Sequence, residues 1–579
     1  MPLTLVARVG AALLSTALAL GGTVASPTTP DPGSLAPAAT NGLPTSLALA
    51  ATITVPEQTT QLISPENLEA YTQPNGVLNR QLDAFYGQPV ALGIDPMILA
   101  SIRILGTSAP ASAVSWLERL EGAPNETFSL AYADADVATL AQAGLGSITV
   151  PTDFTVDPNL FPEAPAPSES ATAGPDETVS PTIAPGDEDD AGSEETEPES
   201  MVPTGEQLVD LPFTLAAMMW PRESTVITTD LPVFNAAGPV TTILDSTNVS
   251  YVRDAIPASA RIGDSAALVA TSDISALLRE AGSAGSDAAW VAAMAELTAA
   301  LAGWTAGDST VLATFGRDIP FSTNRIPATI AALTATPGIV VTSLAATMDE
   351  AAVDASIVDQ PVGADRVALV AGMLATEPAI AQFSSILETP SLITGERRRT
   401  LLALASTAWV DSTSDWPAEV SAYVDGSTEI LESVQVLESS TINLLSETGD
   451  LPVTVSNALP YPVTVYVTVT SNTAILDVLE GRVAVTVEGG SQSRAAIPVQ
   501  SIANGTASLV VTLSSVTNVP ISSPTYMTTN VQAGWDTAFT TIVAVLVLLM
   551  FIGGIIRTVR RRRRLKAEAA AQSIAGPAA

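Results

Sequence analysis

The chain has 579 residues, of which 47% are hydrophobic but only 4% aromatic and 14% charged, and it contains no Cys and no His. Those two absences exclude disulfides, thiol catalysis, Fe–S clusters, His-ligated metals and imidazole acid–base chemistry. The formal net charge is −37, yet residues 27–535 hold fifteen cations, all Arg, against 58 acids, a net −43; so acidic a body excludes a phosphate-backbone partner, and nucleic acid with it.

Residues 1–26 read as a secretory signal peptide. Arg8 stands before an apolar run from Val9 to Leu20, too short for a span, and small residues follow through Ala25. Residues 27–55, rich in Pro, Thr and Ala, read as a disordered tether. Residues 56–151 begin an α/β domain. The runs PVALGI (89–94), FSLAY (128–132) and GSITV (146–150) are short and apolar, with helical patterns between them.

Residues 152–205 read as an acidic disordered linker. Glu163 to Glu199 carries twelve acids and no Lys or Arg, and such a segment cannot offset its ordering entropy by burial. Residues 206–432 resume the α/β pattern. Runs at 212–219, 240–244, 266–270, 310–315 and 338–342 alternate with amphipathic stretches, and helices are expected over 366–374, 395–410 and 416–425. About eight such runs predict parallel βαβ units closed as an irregular (β/α) barrel, with an open doubly wound sheet as the alternative.

From residue 433 the period changes to two. VTVYVTVT, RVAVTV and TASLVVTL alternate apolar residues with Thr, Ala or Ser, and Gly489-Gly490 and Asn504-Gly505 supply turns between them, which predicts an Ig-like β-sandwich over 433–533. Residues 536–556 then read as a transmembrane helix, uncharged from Ala538 onward. The nineteen residues from Ala538 to Ile556 make a helix of about 28 Å, the thickness of a bilayer core, and Trp535 stands at its outer end. Residues 557–579 follow as a basic tail whose Arg557, Arg560, Arg561, Arg562, Arg563, Arg564 and Lys566 belong in the cytoplasm by the positive-inside rule.

Strand ends supply the candidate site residues: Asp95, Tyr132, Asp134, Asp136, Trp220, Arg222, Asp245 and Asp264. In a (β/α) barrel these ends converge on one face. Paired carboxylates there could cleave a glycosidic bond, with Asp95, Asp134 and Asp136 as the catalytic candidates. Tyr132, Trp220, Arg222 and Asp245 are the ligand-binding candidates, Trp220 by stacking on a sugar ring. The competing reading makes the three acids fold elements: Asp95 before Pro96 suits an N-cap, and capping would hold it ionised. No metal site and no cofactor are expected.

Four phrases carry a resemblance: LGIDPMILASI (92–102), FSLAYADADVATLAQAG (128–144), NALPYPVTVYV (457–467) and GGIIRTVRRRRR (553–564). In this order they resemble DUF6049, a family of uncharacterised actinobacterial envelope proteins, over most of residues 60–565. The resemblance implies a membrane-anchored extracytoplasmic protein of no established activity. It also implies a link to cell-wall biology, since genes of the family neighbour that of the flippase for peptidoglycan precursors.

The sequence thus predicts an α/β domain with an acidic insertion, a membrane-proximal sandwich and one C-terminal span. The expected protein is a type I, single-pass one of a bacterial cytoplasmic membrane, its large N-terminal part outside. The favoured function is non-enzymatic binding or scaffolding of a wall polymer or another envelope protein. The alternative is a carbohydrate-active hydrolase.

Overall fold

The computed structural model describes residues 44–161, 202–215, 217–251, 257–304, 309–317, 325–437, 442–444, 446–532 and 535–572. The expected signal peptide, most of the tether, the acidic stretch 162–201 and the end of the tail lie outside them.

The tether expectation fails at its C-terminal end. Thr45–Ile53 is strand β1, and it lies inside a mixed sheet rather than before the fold. It runs parallel to β2 (Ala91–Ile94) on one side and β9 (Val311–Thr314) on the other, and β10 (Ile339–Thr342) pairs with its first four residues. The reason is burial on both faces. Leu47, Leu49, Ala51 and Ile53 pack against the helices, while Ala48 and Ala50 face the opposite way into a second cluster. A strand covered on both sides has no polar alternation and reads as a featureless apolar run.

The sheet continues from β2 to β3 (Thr127–Ser129), and from β9 through β8 (Ser265–Ala270) and β5 (Thr241–Asp245) to β4 (Met218–Met219). These seven strands are parallel, in the order β3-β2-β1-β9-β8-β5-β4. The two ends of this path meet: the amides of Thr214 and Leu215, just before β4, donate to the Thr127 carbonyl on β3 at 3.1 and 3.0 Å. One apolar cluster draws Ala48, Ala91, Phe128, Met218, Trp220, Ile243, Leu268 and Leu312 from all seven strands. Small residues on β1 and β2 leave room for its rings: a Cβ on Gly93 would stand 2.8 Å from Leu130 and 2.9 Å from Phe128. Three further strands extend the sheet sideways. β7 (Ser259–Ile262) forms an antiparallel hairpin with β8, β11 (Val353–Ile357) pairs parallel with β7, and β6 (Val249–Tyr251) pairs antiparallel with β11.

Other expectations shift. Residues 146–150 form no strand. Residues 152–161, assigned to the linker, are packed: Phe154 joins the main core, and Arg399 holds the Asp153 carbonyl at 2.8 Å. Thr152 and Asp153 press against Gly205 and Gly395, where a Cβ would collide with them. The helix expected to end at 410 is Ser391–Leu404, followed by a short turn at Thr407–Trp409.

Helices Ala364–Leu374, Glu377–Phe383, Ser391–Leu404 and Trp416–Leu431 close the α/β part. Ile380, Phe383, Ile386, Leu387 and Ile393 belong to the core of the β-rich part that follows. That part has two sheets. One orders β12 (Val434–Val436), β14 (Thr448–Asn457), β18 (Ser491–Ser501) and β16 (Leu476–Val478). The other orders β13 (Ile442–Leu444), β20 (Thr525–Val531), β19 (Gly505–Ser514), β15 (Val463–Ser471) and β17 (Arg482–Val487). Alternate residues such as Val463, Val465, Val467 and Val469 are buried. The Asn457 side chain pins the Asn-Ala-Leu-Pro-Tyr-Pro turn, donating to the Tyr461 and Val487 carbonyls and accepting from the Leu459 amide.

The chain continues as one helix, Trp535–Gln572. Within its stretch Phe539–Lys566 an 18-residue window reaches a mean hydropathy of 2.7, and the helix is long and apolar enough to cross a membrane. A window within residues 364–386 reaches a mean hydropathy of 1.3, but this segment belongs to core helices whose Val370, Met373, Ile380 and Phe383 are buried.

Candidate functional site

The carboxyl ends of the parallel strands border a cleft of about 760 Å³. Its walls come from the segments that follow four of them: Thr54 to Glu57 after β1, Asp134 after β3, Trp220 to Glu223 after β4, and Gly316 and Arg317 after β9. Ligand sites in open and closed α/β sheets occupy this edge.

Asp95 terminates β2 and caps the helix Pro96–Arg103, accepting from the Met97 amide at 2.9 Å. Pro96 supports the cap, since it needs no partner at the first helical position. The same oxygen accepts from the Ala133 amide at 2.8 Å. Ala133 and Asp134 hold left-handed backbone, φ +60° and +45°. That conformation costs non-glycine residues about 1–2 kcal/mol each. It turns the Ala133 amide onto Asp95 and swings Asp134 toward the cleft. Capping does not keep Asp95 ionised, contrary to the expectation from its sequence position. Only 1% of Asp95 is exposed, and burial outweighs its amide donors and pushes its carboxyl up to about 8. It does not line the cleft.

Asp134 lines the cleft but is clamped. Arg317 reaches it with Nε at 2.6 Å and Nη2 at 2.9 Å, and the Thr407 hydroxyl donates to it at 2.6 Å. Burial alone would lower the Arg317 guanidinium, yet Asp134, Asp136 and Glu223 hold it above its ordinary value. Asp136 is fully buried and caps the helix Val137–Gln142 through Thr139. Arg222 meets it at 3.3 Å and Arg366 at 3.8 Å. Burial holds Arg366 below its ordinary value despite Asp136, and Arg222 lowers it further.

The remaining candidates scatter. The Tyr132 hydroxyl donates to the Gln61 carbonyl, with the ring buried near Phe154; burial raises its phenol. Trp220 cannot stack on a sugar: it is 6% exposed, with Phe128 at 6.1 Å and the Arg317 guanidinium 5.4 Å from its ring. Asp245 caps the turn Ser246–Asn248, away from the cleft. Asp264 is exposed in the β7–β8 hairpin and lies beside Thr241, at the opening rather than the closing end of a strand. Sequence reasoning missed Arg80, Glu223, Arg279 and Arg317. Arg317 follows a strand closed by Gly316, a signal as plain as Asp95-Pro96. Among the described residues no group of His, Cys, Asp or Glu could hold a metal ion.

The family described as "family of unknown function (DUF6049)" matches residues 23–579. The chain belongs to this family. The match contains both the Asp95 and Asp134 turns and the Asn457 turn, so in this DUF6049 protein three resembling phrases are structural pivots: two end strands at the cleft edge and one pins the entry to β15. No curated protein matches the chain.

Among solved structures, this DUF6049 protein is similar to alpha-2-macroglobulin of Escherichia coli over 17% of its length, at 16% identity and a TM-score of 0.15, spanning 7% of that chain. It is also similar to WR4, an MSP family member of C. elegans, at 12% identity over 17% of this chain and 98% of that one, with a TM-score of 0.14. Over 67% of its length it is similar to the alpha-amylase AmyC from Thermotoga maritima, at 10% identity, 92% coverage of that chain and a TM-score of 0.39. Likenesses of this size carry no argument about what the chain does.

Proposed function

We propose that this is a type I, single-pass protein of the bacterial cytoplasmic membrane, linked to cell-wall biology, whose outer part binds or scaffolds rather than catalyses. The observation that carries the reading is the state of its carboxylates. Of the catalytic candidates, Asp134, which lines the cleft, is engaged by Arg317, and the buried Asp136 by Arg222 and Arg366. A glycosidase needs one carboxyl free to give a proton and another free to attack or activate water. On this reading the seven parallel strands form an irregular closed barrel, and the two following sheets form an Ig-like sandwich next to the membrane. The partner is a wall polymer or a second envelope protein.

The long apolar helix, followed at once by seven cations, supports anchoring with the tail inside. Protease added to wall-stripped cells should remove the ectodomain and spare an epitope fused after Ala579. Digestion of that epitope would reverse the topology.

One observation favours the alternative hydrolase: the Asp95 carboxyl, pushed up to about 8, has the protonation of a general acid near neutral pH. Its burial argues against proton delivery. Purified protein should leave peptidoglycan and arabinogalactan fragments intact. Hydrolysis abolished by Asp95→Asn or Asp134→Asn, with the fold retained, would install the alternative.

A further inference from the structure

We infer that the cleft at the carboxyl ends of the strands is a site for a small oxyanion-bearing molecule, its phosphate or carboxylate group held by Arg80, Arg222 and Arg279. The inference rests on the reading of the cleft as a binding site and names the chemistry of its ligand.

Acceptors and donors in the cleft are used unequally. Four acids line the cleft, and three are engaged by the protein itself. Asp134 is held by Arg317 and Thr407, Glu223 by Arg279 at 2.6 Å, and Glu57 by the hydroxyls of Ser412 and Ser414 at 2.6 and 3.1 Å. The Ser412 hydroxyl in particular holds the Glu57 carboxyl below its ordinary value.

The cations are used less fully. Arg222 engages Asp136 through Nε alone, and among the described residues its two terminal nitrogens have no partner. Arg279 gives Nη1 to Glu223 and has no other acceptor among the described residues. Arg80 is exposed and bonds only the Asn75 carbonyl, with no carboxylate beside it among the described residues. Among the described residues Asp411 is the one lining acid without a partner, so the cleft presents the unused N–H groups of three guanidiniums against a single unengaged carboxylate. The group that satisfies several forked N–H donors at once is a phosphate or a carboxylate.

Two further observations support a built site. Arg80, Arg222, Arg279 and Arg317 are four of only fifteen arginines in residues 27–535, and they balance the four acids of the lining. The cleft is thus neutral within a body of net charge −43. Arg279 is also positioned by the backbone. Gly316 has φ +69°, and a Cβ there would stand 3.2 Å from the Arg279 Cδ and Nη1. The volume, about 760 Å³, accommodates a sugar with a charged substituent.

The test titrates the detergent-solubilised full chain with glucose 1-phosphate, glucuronate and glucose, by calorimetry at constant ionic strength. Either anion should bind at least tenfold more tightly than glucose, and the preferred one identifies the oxyanion. Arg80→Gln, which touches only an exposed side chain, should weaken that anion threefold or more, and Arg222→Gln tenfold or more. Equal binding of all three sugars, no binding up to 10 mM, or anion binding indifferent to both substitutions would overturn the inference. Phosphate release from glucose 1-phosphate is followed in parallel. Release would overturn the non-catalytic reading while sustaining the anion site, so the two failures are distinguishable.

Discussion

Arg317 and Asp134 are 183 positions apart in sequence, yet form a two-pronged ion pair with Nε–Oδ2 at 2.6 Å and Nη2–Oδ1 at 2.9 Å. Both side chains are nearly buried, 12% and 6% exposed. The pair joins the end of β9 to the end of β3 across the cleft, and the Arg317–Trp220 carbonyl bond adds the end of β4. Arg317→Met should therefore leave a buried carboxylate with only the Thr407 hydroxyl, at a cost of about 3–5 kcal/mol. Adding Asp134→Asn should recover much of that loss, because no unpaired charge then remains. Urea unfolding of the two variants decides it; a single variant as stable as the parent would remove the pair from any structural role.

Asp95 makes stability pH-dependent with a defined sign. Its folded carboxyl is pushed up to about 8 from an ordinary value of 3.8. Between these values the folded chain keeps a proton that the unfolded chain has released. Stability contributed by this group is thus greatest in acid, falls as pH rises through that window and levels off above 8. Asp95→Asn should cost about 1 kcal/mol at pH 5, and the deficit should shrink or reverse by pH 8. A deficit constant from pH 5 to 8 would show that Asp95 does not titrate there.

Gly93→Ala should destabilise the sheet by about 1–3 kcal/mol, the usual effect of adding a methylene to a filled interior. The new Cβ would meet Phe128 and Leu130 inside van der Waals distance. Melting followed by tryptophan fluorescence reports it, and an unchanged midpoint would mean that the Phe128 and Leu130 side chains have room to move aside.

Gly316→Ala should cost at least about 1–2 kcal/mol through its positive φ alone. Displacement of the Arg279 stem would add to this. A double-mutant cycle with Arg279→Ala separates the two causes: the coupling should be favourable if the stem is displaced and zero if only the backbone is strained.

The sandwich was legible because its strands bury one face, so Val463 to Thr470 alternate in the sequence as they do in space. Asp95 as a cap was legible from its Pro96 neighbour. β1 was not, because its Leu and Ala residues are buried on both sides and leave no period to read. The packed stretch 152–161 was hidden for another reason. Its partners Arg399, Gly205 and Gly395 lie far along the chain, and locally it shares the Pro and Asp content of the acidic segment beside it. The cleft suffered most. Its carboxylates stand out in the sequence at strand ends, whereas their fate is set by arginines supplied by other parts of the chain, Arg366 meeting Asp136 from 230 positions away.

The position of β1 also bears on how the protein is made. Residues 45–53 emerge early, but their partners on one edge, Val311 to Thr314, come about 260 residues later. At 5–20 residues per second, that interval is roughly 13–50 s. For its duration the nascent chain carries an apolar segment with an unpaired edge, which favours aggregation unless a chaperone or an extended state protects it. The late strands β9 and β10 complete the first-made one, so the α/β part cannot reach its native pairing until more than half of the polypeptide exists.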